Sequence, residues 1–234
     1  MNREALSPNP ALLPTDDRAG TRYVLCRRGA AVEGFAGALA ATAGAEVRSR
    51  ALDSTGDWLR ALVAPGVVFG VLERGAQAWQ IAGDSPTPIV AVPAGFRRTA
   101  IDRVLVPLDG TVEVAAAVAR TVRMFRSAGV EVQVLHVFDR RTVPAYWDQA
   151  AHERSAWQDE FLSRYCTPYF DGGGPPLMLR SGVPAESVLE IAGREADLVI
   201  LGWSQQLLHG HAKIIRRAMT DLAVPVMLIP SALT

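Results

Sequence analysis

Short apolar runs alternate with amphipathic stretches along the second half of the chain. The runs at 103–108 and 198–201 are rich in β-branched and other aliphatic residues, and a polar residue or a glycine follows each. Continuous apolar runs of this length are typical of strands that are buried on both faces of a parallel sheet. Between them, residues 112–128 carry apolar side chains at helical spacing, and Gly129 ends the pattern as a helix C-terminus would. The same patterns predict strands at 130–138, 177–180 and 226–229, and helices at 144–166, 183–196 and up to about residue 223.

Strands that alternate with helices predict right-handed βαβ crossovers, and hence an α/β fold with a doubly wound, open parallel sheet. In such sheets ligands bind beyond the carboxyl ends of the strands, at the topological switch point. We therefore expect the turn after Leu108, the end of the 130–138 strand and the loop after Leu201 to surround one crevice. The helix at 144–166 carries aromatic residues that we expect to cover one face of the sheet rather than to hold a cofactor, namely Trp147, Trp157 and Phe161.

The first half of the chain repeats this pattern in a shorter form. Residues 23–26 match the opening strand, and residues 67–72 match the strand before Gly202. Residues 87–93 match residues 224–230, including both prolines. Self-similarity of this kind indicates an internal repeat.

The repeat is incomplete, because residues 52–65 are too few to hold a helix, a strand and another helix. We therefore expect one strand and one helix to be missing from the first unit. The sequence predicts a disordered lead-in over residues 1–20, a shortened domain at 21–95 and a complete domain at 99–232.

Composition narrows the classes of function. The 24 Lys and Arg residues balance 24 Asp and Glu residues. The chain therefore lacks the excess of positive charge that general nucleic-acid binding requires, and we expect no nucleic-acid partner. No apolar run approaches the roughly 20 residues that span a bilayer, and the amino terminus lacks the apolar stretch of a signal peptide. These features predict a cytoplasmic protein without a membrane partner. Cys26 and Cys166 lie far apart and outside any CxxC motif, which predicts buried free thiols and no metal site.

Three segments of the second half occur in the order and spacing of a known family. The opening strand runs into Asp109, Gly110 and Thr111, residues 181–192 contain a Gly-x-Pro-Ala-Glu helix start, and residues 223–230 form a closing strand. On these segments, the second half resembles a complete universal stress protein domain. The resemblance implies the adenine-nucleotide α-hydrolase-like version of the fold. Because tandem members are common in this family, it also implies two units packed as a pseudo-dimer.

The resemblance to ATP-binding members of this family assigns ligand contacts to the strand ends and to a glycine-rich loop. Asp109, which Gly110 follows, would meet the adenine or ribose edge, and backbone groups of His136 and Val137 would meet the base. The family's Gly-x-x-Gly loop and the Gly-Ser/Thr that follows it would wrap the ribose and triphosphate, because glycines let backbone amides approach phosphate oxygens. The candidate positions in this segment are Gly202, Gly210, Ala212 and Lys213.

The segment after Gly202 departs from that motif. Gln205 stands in place of the second glycine, the loop is shorter, and Ala212 and Lys213 stand where Gly-Ser/Thr belongs. Trp203 and the glutamine side chains would occupy space that a triphosphate needs. The sequence leaves two roles open for the cationic side chains nearby, which are binding of a shorter anion such as AMP and solvation of a helix start: His209, His211, Lys213 and Arg216.

Two functions therefore stay open. The first is a stress-response regulatory protein that binds an adenine nucleotide, ATP or AMP, and has no enzymatic activity beyond slow ATP hydrolysis. The second is a scaffold that binds no nucleotide and acts through dimerisation and protein contacts. In both, we expect the strands at 89–92 and 226–229 to pair, within the chain or in a homodimer. An open crevice favours nucleotide binding, whereas a crevice filled by Trp203 favours the scaffold.

Overall fold

The computed structural model describes residues 20–139, 151–171, 174–203 and 209–231. In the first half of the chain the described residues form β1 (Tyr23–Arg27), α1 (Ala30–Ala43), β2 (Glu46–Arg50), α2 (Thr55–Leu62), β3 (Val67–Glu73), α3 (Ala76–Asp84) and β4 (Ile89–Val92). In the second half they form β5 (Arg103–Pro107), α4 (Val112–Ser127), β6 (Glu131–Phe138), α5 (Ala151–Phe161), a π-helical turn (Leu162–Cys166), β7 (Leu177–Ser181), α6 (Pro184–Glu195), β8 (Leu198–Trp203), α7 (His209–Asp221) and β9 (Val226–Pro230).

These strands form one sheet in the order β2-β1-β3-β4-β9-β8-β5-β6-β7. Neighbouring strands are parallel except β4 and β9, which pair antiparallel with Val90 opposite Met227. The expected pairing of the two closing strands is therefore present within the chain. This topology confirms the predicted α/β fold with an open, mostly parallel sheet. The division into a shortened domain and a complete domain stays a prediction.

Helices cover both faces of the sheet and create two apolar cores. On one face α1 and α4 pack through Phe35 and Phe125, which are fully buried. On the other face α2, α3, α6 and α7 pack around side chains such as Trp58 and Ile191. Burying one large apolar side chain stabilises a fold by roughly 1.5–3 kcal/mol, so both layers hold the strand ends in fixed positions. Within the described residues, no helix has the length and apolar character that crossing a bilayer would need.

Helix α2 lies in the region where the sequence predicted only a shortened connection. The Ser54 hydroxyl accepts a hydrogen bond from the Asp57 N–H (3.1 Å) and donates one to the Asp57 carboxylate (2.6 Å). The Ser54 side chain is thus the N-cap of α2, and a serine followed three residues later by an acidic residue is a sequence signal for a helix start. The connection between β2 and β3 thus holds one helix, as the predicted loss of a strand and a helix requires. As a result β2 is an edge strand, whereas its counterpart β6 has β7 as an outer neighbour.

Two sets of polar contacts fix the first half, and the linker between β4 and β5, against the second half. The guanidinium of Arg74 donates to the carbonyl oxygens of Leu222 and Val224, and the second of these distances is 2.6 Å. The linker is held by Asp197, whose carboxylate accepts a hydrogen bond from the N–H of Asp102 (3.0 Å). Burial alone would raise the pKa of Asp197, but its hydrogen-bond donors outweigh burial and lower that pKa.

Both cysteines are buried and free, as expected. Burial raises the pKa of the Cys26 thiol and raises the pKa of the Cys166 thiol to about 12. Because the thiolate is the reactive form, both side chains are inert at neutral pH.

Candidate functional site

A cavity of about 600 Å³ opens at the carboxyl ends of β5, β6 and β8. Its floor is formed by the strand ends, including Leu201 and Gly202 of β8. Its walls come from α5 with the π-helical turn, from the start of α6 and from Ile214 and Ile215 of α7. This is the position at which ligands bind in doubly wound sheets. Its volume lies within the range of about 300–1,000 Å³ that is usual for small-molecule sites.

The turn after β5 presents Asp109 and Gly110 to this cavity. The Asp109 carboxylate accepts hydrogen bonds from the N–H (3.0 Å) and the hydroxyl (2.7 Å) of Thr111. Thr111 is the N-cap of α4, and its hydroxyl oxygen accepts from the N–H of Val114 (3.4 Å). Gly110 has a φ of 82°, a left-handed conformation that strains other residues. Asp109 therefore shapes the turn and at the same time lines the cavity.

His136 lies at the end of β6 with its ring between two aromatic rings. The ring centroids of Phe138 and Phe161 are 4.6 Å and 4.5 Å from that of His136. Its Nδ1 lies 2.8 Å from the carbonyl oxygen of Leu108. Because a carbonyl only accepts, Nδ1 carries the proton, and in the neutral ring Nε2 is left as an acceptor. Burial lowers the pKa of His136, although the Leu108 bond and the Asp109 charge oppose that change.

The aromatic side chains of α5 and the π-helical turn form one wall of the cavity. Trp157, Phe161 and Tyr165 all line it, and the ring centroids of Phe161 and Tyr165 are 4.8 Å apart. The expectation that Trp157 and Phe161 cover one face of the sheet rather than hold a cofactor stays a prediction, and both rings also border the cavity. Trp147 lies outside the described residues. Residues 157, 161 and 165 recur at i, i+4 and i+8, a helical stripe that could have predicted this wall from the sequence.

Gly202 and Trp203 point to opposite faces of the sheet. A Cβ atom on Gly202 would lie 2.8 Å from Cγ1 of Val114, so α4 approaches the strand too closely for a side chain. Trp203 is 4% exposed and packs edge-on against Trp79 of α3, with ring centroids 5.3 Å apart. The expectation that Trp203 would occupy the ligand space is therefore wrong, because successive strand residues alternate between faces and Trp203 faces α3.

The other predicted site residues divide into two groups. Val137 lines the cavity beside His136. The backbone of Gly210, Ala212 and Lys213 lies in the first turns of α7, which begins at His209, and their side chains are outside the described residues. Gln205 lies in the 204–208 segment, which is also outside them.

Acidic side chains outnumber basic ones among the described residues that line the cavity. The carboxylates belong to Asp109, Asp139 and Glu160, and the guanidinium belongs to Arg164. Arg164 Nη1 lies 3.4 Å from Glu160 Oε1, so this cation already has an anionic partner. The described wall is therefore aromatic and acidic.

Comparisons with known proteins agree with this fold. The model of the universal stress protein family matches residues 100–229. A universal stress protein from Archaeoglobus fulgidus aligns with 81% of this chain and 71% of its own, at 16% identity and a TM-score of 0.55. A functionally unknown protein from Pseudomonas aeruginosa PAO1 aligns with 90% of this chain and 82% of its own, at 12% identity and a TM-score of 0.58.

A shorter alignment relates the chain to a universal stress protein in complex with cAMP. It covers 56% of this chain and 98% of that chain, at 16% identity and a TM-score of 0.40. Among curated proteins, no sequence matches this chain significantly. The family match spans more than half of the 234 residues and includes every strand around the cavity. The chain therefore belongs to the universal stress protein family.

Proposed function

We propose that this chain is a regulatory protein that binds an adenine nucleotide in the cavity at the carboxyl ends of β5, β6 and β8. The observation that carries the proposal is the open cavity of about 600 Å³ at the site that the family resemblance assigns to the nucleotide. Trp203, which would favour the scaffold function if it filled the crevice, packs against Trp79 of α3 instead and does not line the cavity.

The lining supports recognition of a purine nucleoside. The partly exposed ring of Trp157 offers a stacking surface, and every base has a π-face that can use it. The family resemblance assigns to Asp109 the role of the aspartate that meets the adenine or ribose edge in ATP-binding members. Gly202 lines the cavity at the end of β8, beside Val114 of α4.

The same proposal makes the protein a cytoplasmic regulator in which any ATP turnover is slow. His136 lines the cavity, and its Nδ1 is engaged with the carbonyl of Leu108. Its Nε2 can therefore accept a hydrogen bond from a bound ligand.

The tandem organisation belongs to the same proposal. The first half has the strand order β2-β1-β3-β4, and the second half has β6-β5-β8-β9 in the corresponding positions. The two series meet in the antiparallel pairing of β4 with β9. We infer that residues 21–95 are a shortened unit that pairs with the complete unit as an intrachain pseudo-dimer.

A thermal-shift titration with AMP, ATP and cyclic AMP tests the proposal. A ligand at 100 times its dissociation constant stabilises the folded state by about 2.7 kcal/mol, which raises the melting temperature by several degrees. Val183 lies at the cavity and is 48% exposed, so Val183→Trp should narrow the cavity and remove the shift while the fold is kept.

The matched control is Val63→Trp, because Val63 is 62% exposed and lies in the first half, away from the cavity. This variant should keep the full ligand shift. If no nucleotide at millimolar concentration stabilises the wild-type protein, the proposal fails and the scaffold function takes its place.

A further inference from the structure

We propose that the His136 side chain selects the base of the bound nucleotide. Its Nε2 atom accepts a hydrogen bond from the 6-amino group of adenine, so that the cavity favours adenine over hypoxanthine, which carries a carbonyl oxygen at that position. This inference rests on the proposed function and specifies how its ligand is recognised. It adds a side-chain contact to the backbone contacts that the family resemblance assigns to His136 and Val137.

The ring of His136 presents one unused acceptor to the cavity that it lines. Nδ1 donates to the carbonyl oxygen of Leu108 (2.8 Å), which leaves Nε2 with a lone pair. No donor among the described residues bonds to Nε2. This atom is not sealed off either, because the sealed polar side-chain atoms without a partner in the described chain are Arg74 Nε and Trp203 Nε1. The whole residue is only 8% exposed, so a buried acceptor opens into the cavity.

The surroundings of His136 fix the direction of this acceptor. The rings of Phe138 and Phe161 pack against it at centroid distances of 4.6 Å and 4.5 Å, and turning the ring over would break its bond to Leu108. A Cβ atom on Gly110 would lie 3.4 Å from Cε1, the carbon next to Nε2, so this edge of the ring faces a turn without a side chain. Burial lowers the pKa of His136 from 6.5, which keeps the ring neutral at pH 7. The acceptor is therefore positioned before any ligand arrives.

The neighbouring tryptophan indicates that the base, rather than the ribose, reaches Nε2. Trp157 is 38% exposed and borders the cavity, and its ring lies 6.3 Å from that of Phe138, which contacts His136. A base stacked on Trp157 would lie along the same aromatic wall as His136. In an adenine nucleotide N1, N3 and N7 are acceptors, and the 6-amino group is the only N–H donor of the base. The 6-amino group is thus the part of adenine that matches Nε2.

A base without this donor leaves Nε2 of His136 unsatisfied in the complex. Hypoxanthine in the same orientation would place a carbonyl oxygen against Nε2, and two acceptors repel each other. Leaving a buried acceptor without a donor should weaken binding roughly 5- to 140-fold. Sites that form a hydrogen bond to one ligand group reject analogues without that group for the same reason.

The test is isothermal titration calorimetry of the full chain with AMP, IMP and purine riboside 5′-monophosphate. The last compound differs from AMP only by a hydrogen atom in place of the 6-amino group. AMP should bind more tightly than both analogues, by at least about fivefold. Because this comparison uses the unaltered protein, it does not depend on the folding of any variant.

The His136→Phe variant assigns the selectivity to its source. It keeps an aromatic ring between Phe138 and Phe161 and removes the acceptor, so the preference for AMP over purine riboside 5′-monophosphate should disappear. Tyr23→Phe is the matched control, because it removes one polar atom from an aromatic ring of β1, outside the cavity. This variant should keep the full preference for AMP.

The outcomes separate this inference from the function on which it rests. A preference for AMP that is lost in His136→Phe and kept in Tyr23→Phe supports both. Equal affinity of the wild-type protein for AMP and either analogue, or a preference that persists in His136→Phe, overturns the role of His136 and leaves nucleotide binding in place. Absence of binding by all three compounds refutes the proposed function and the inference with it.

Discussion

Replacing Arg74 should weaken the attachment of the first half of the chain to the second. Its guanidinium donates to two carbonyl groups beyond the end of α7, those of Leu222 and Val224. A hydrogen bond from a charged donor contributes about 1.5–3 kcal/mol net, and cations are favoured at helix C-termini. Burial, which lowers the pKa of Arg74 to about 10, offsets part of this gain. We therefore expect Arg74→Met to lower the free energy of unfolding by about 2–4 kcal/mol.

The assay is urea unfolding followed by tryptophan fluorescence, since Trp79 and Trp203 touch across the same boundary. Arg60→Met is the control, because Arg60 is 76% exposed and pairs only with Asp57 of its own helix in the described contacts. Such an exposed pair contributes little to stability. Arg74→Lys should give an intermediate loss, because an ammonium lacks the planar fork that reaches two acceptors. Equal stabilities of the Arg74→Met and Arg60→Met variants would refute the role of Arg74 in holding the two halves together.

Two further predictions concern the site itself. Because the pKa of His136 is lowered in the folded state, the unfolded chain binds the proton more readily, so stability should fall as the pH drops below about 6.5 and level off below the folded pKa. His136→Gln should remove this part of the slope in urea midpoints measured from pH 7.5 to 5, and an unchanged slope would exclude His136 as its source. Gly202→Ala should lower the melting temperature, since overpacking costs about 1–3 kcal/mol. Val114→Ala in the same chain should restore part of that loss, and a Gly202→Ala variant as stable as wild type would show that the close approach of α4 is relieved without cost.

Local sequence patterns predicted most of the strands and the place of the cavity. The strand ends at Leu108 and Leu201 are read directly from apolar runs that stop at Asp109 and Gly202. Parallel strands bring their carboxyl ends to one edge of the sheet, so these ends had to meet. The pairing of β4 with β9 was also predicted, because the family resemblance implies that closing strands pair and such pairing hides their exposed edges.

Features that depend on tertiary packing could not be read in the same way. The strand β8 continues through Trp203, two residues beyond the end of the predicted strand. Because Trp203 is part of the strand, its side chain lies on the face of the sheet opposite to Gly202. The position of α5 over the cavity likewise depends on tertiary packing, such as that of Phe161 against His136. Helix α2 is a different case, because Ser54 and Asp57 carry a local capping signal that the sequence already contains.

The central claim is that an adenine ligand binds at the carboxyl ends of β5, β6 and β8. The most direct test is to follow backbone amide chemical shifts of the ¹⁵N-labelled full chain by NMR while AMP is added. The account predicts that the largest changes occur at Gly110, Val137 and Gly202. Changes centred instead on the strand ends of the first half, near Gly29 and Gly75, or no changes at saturating AMP, would contradict it.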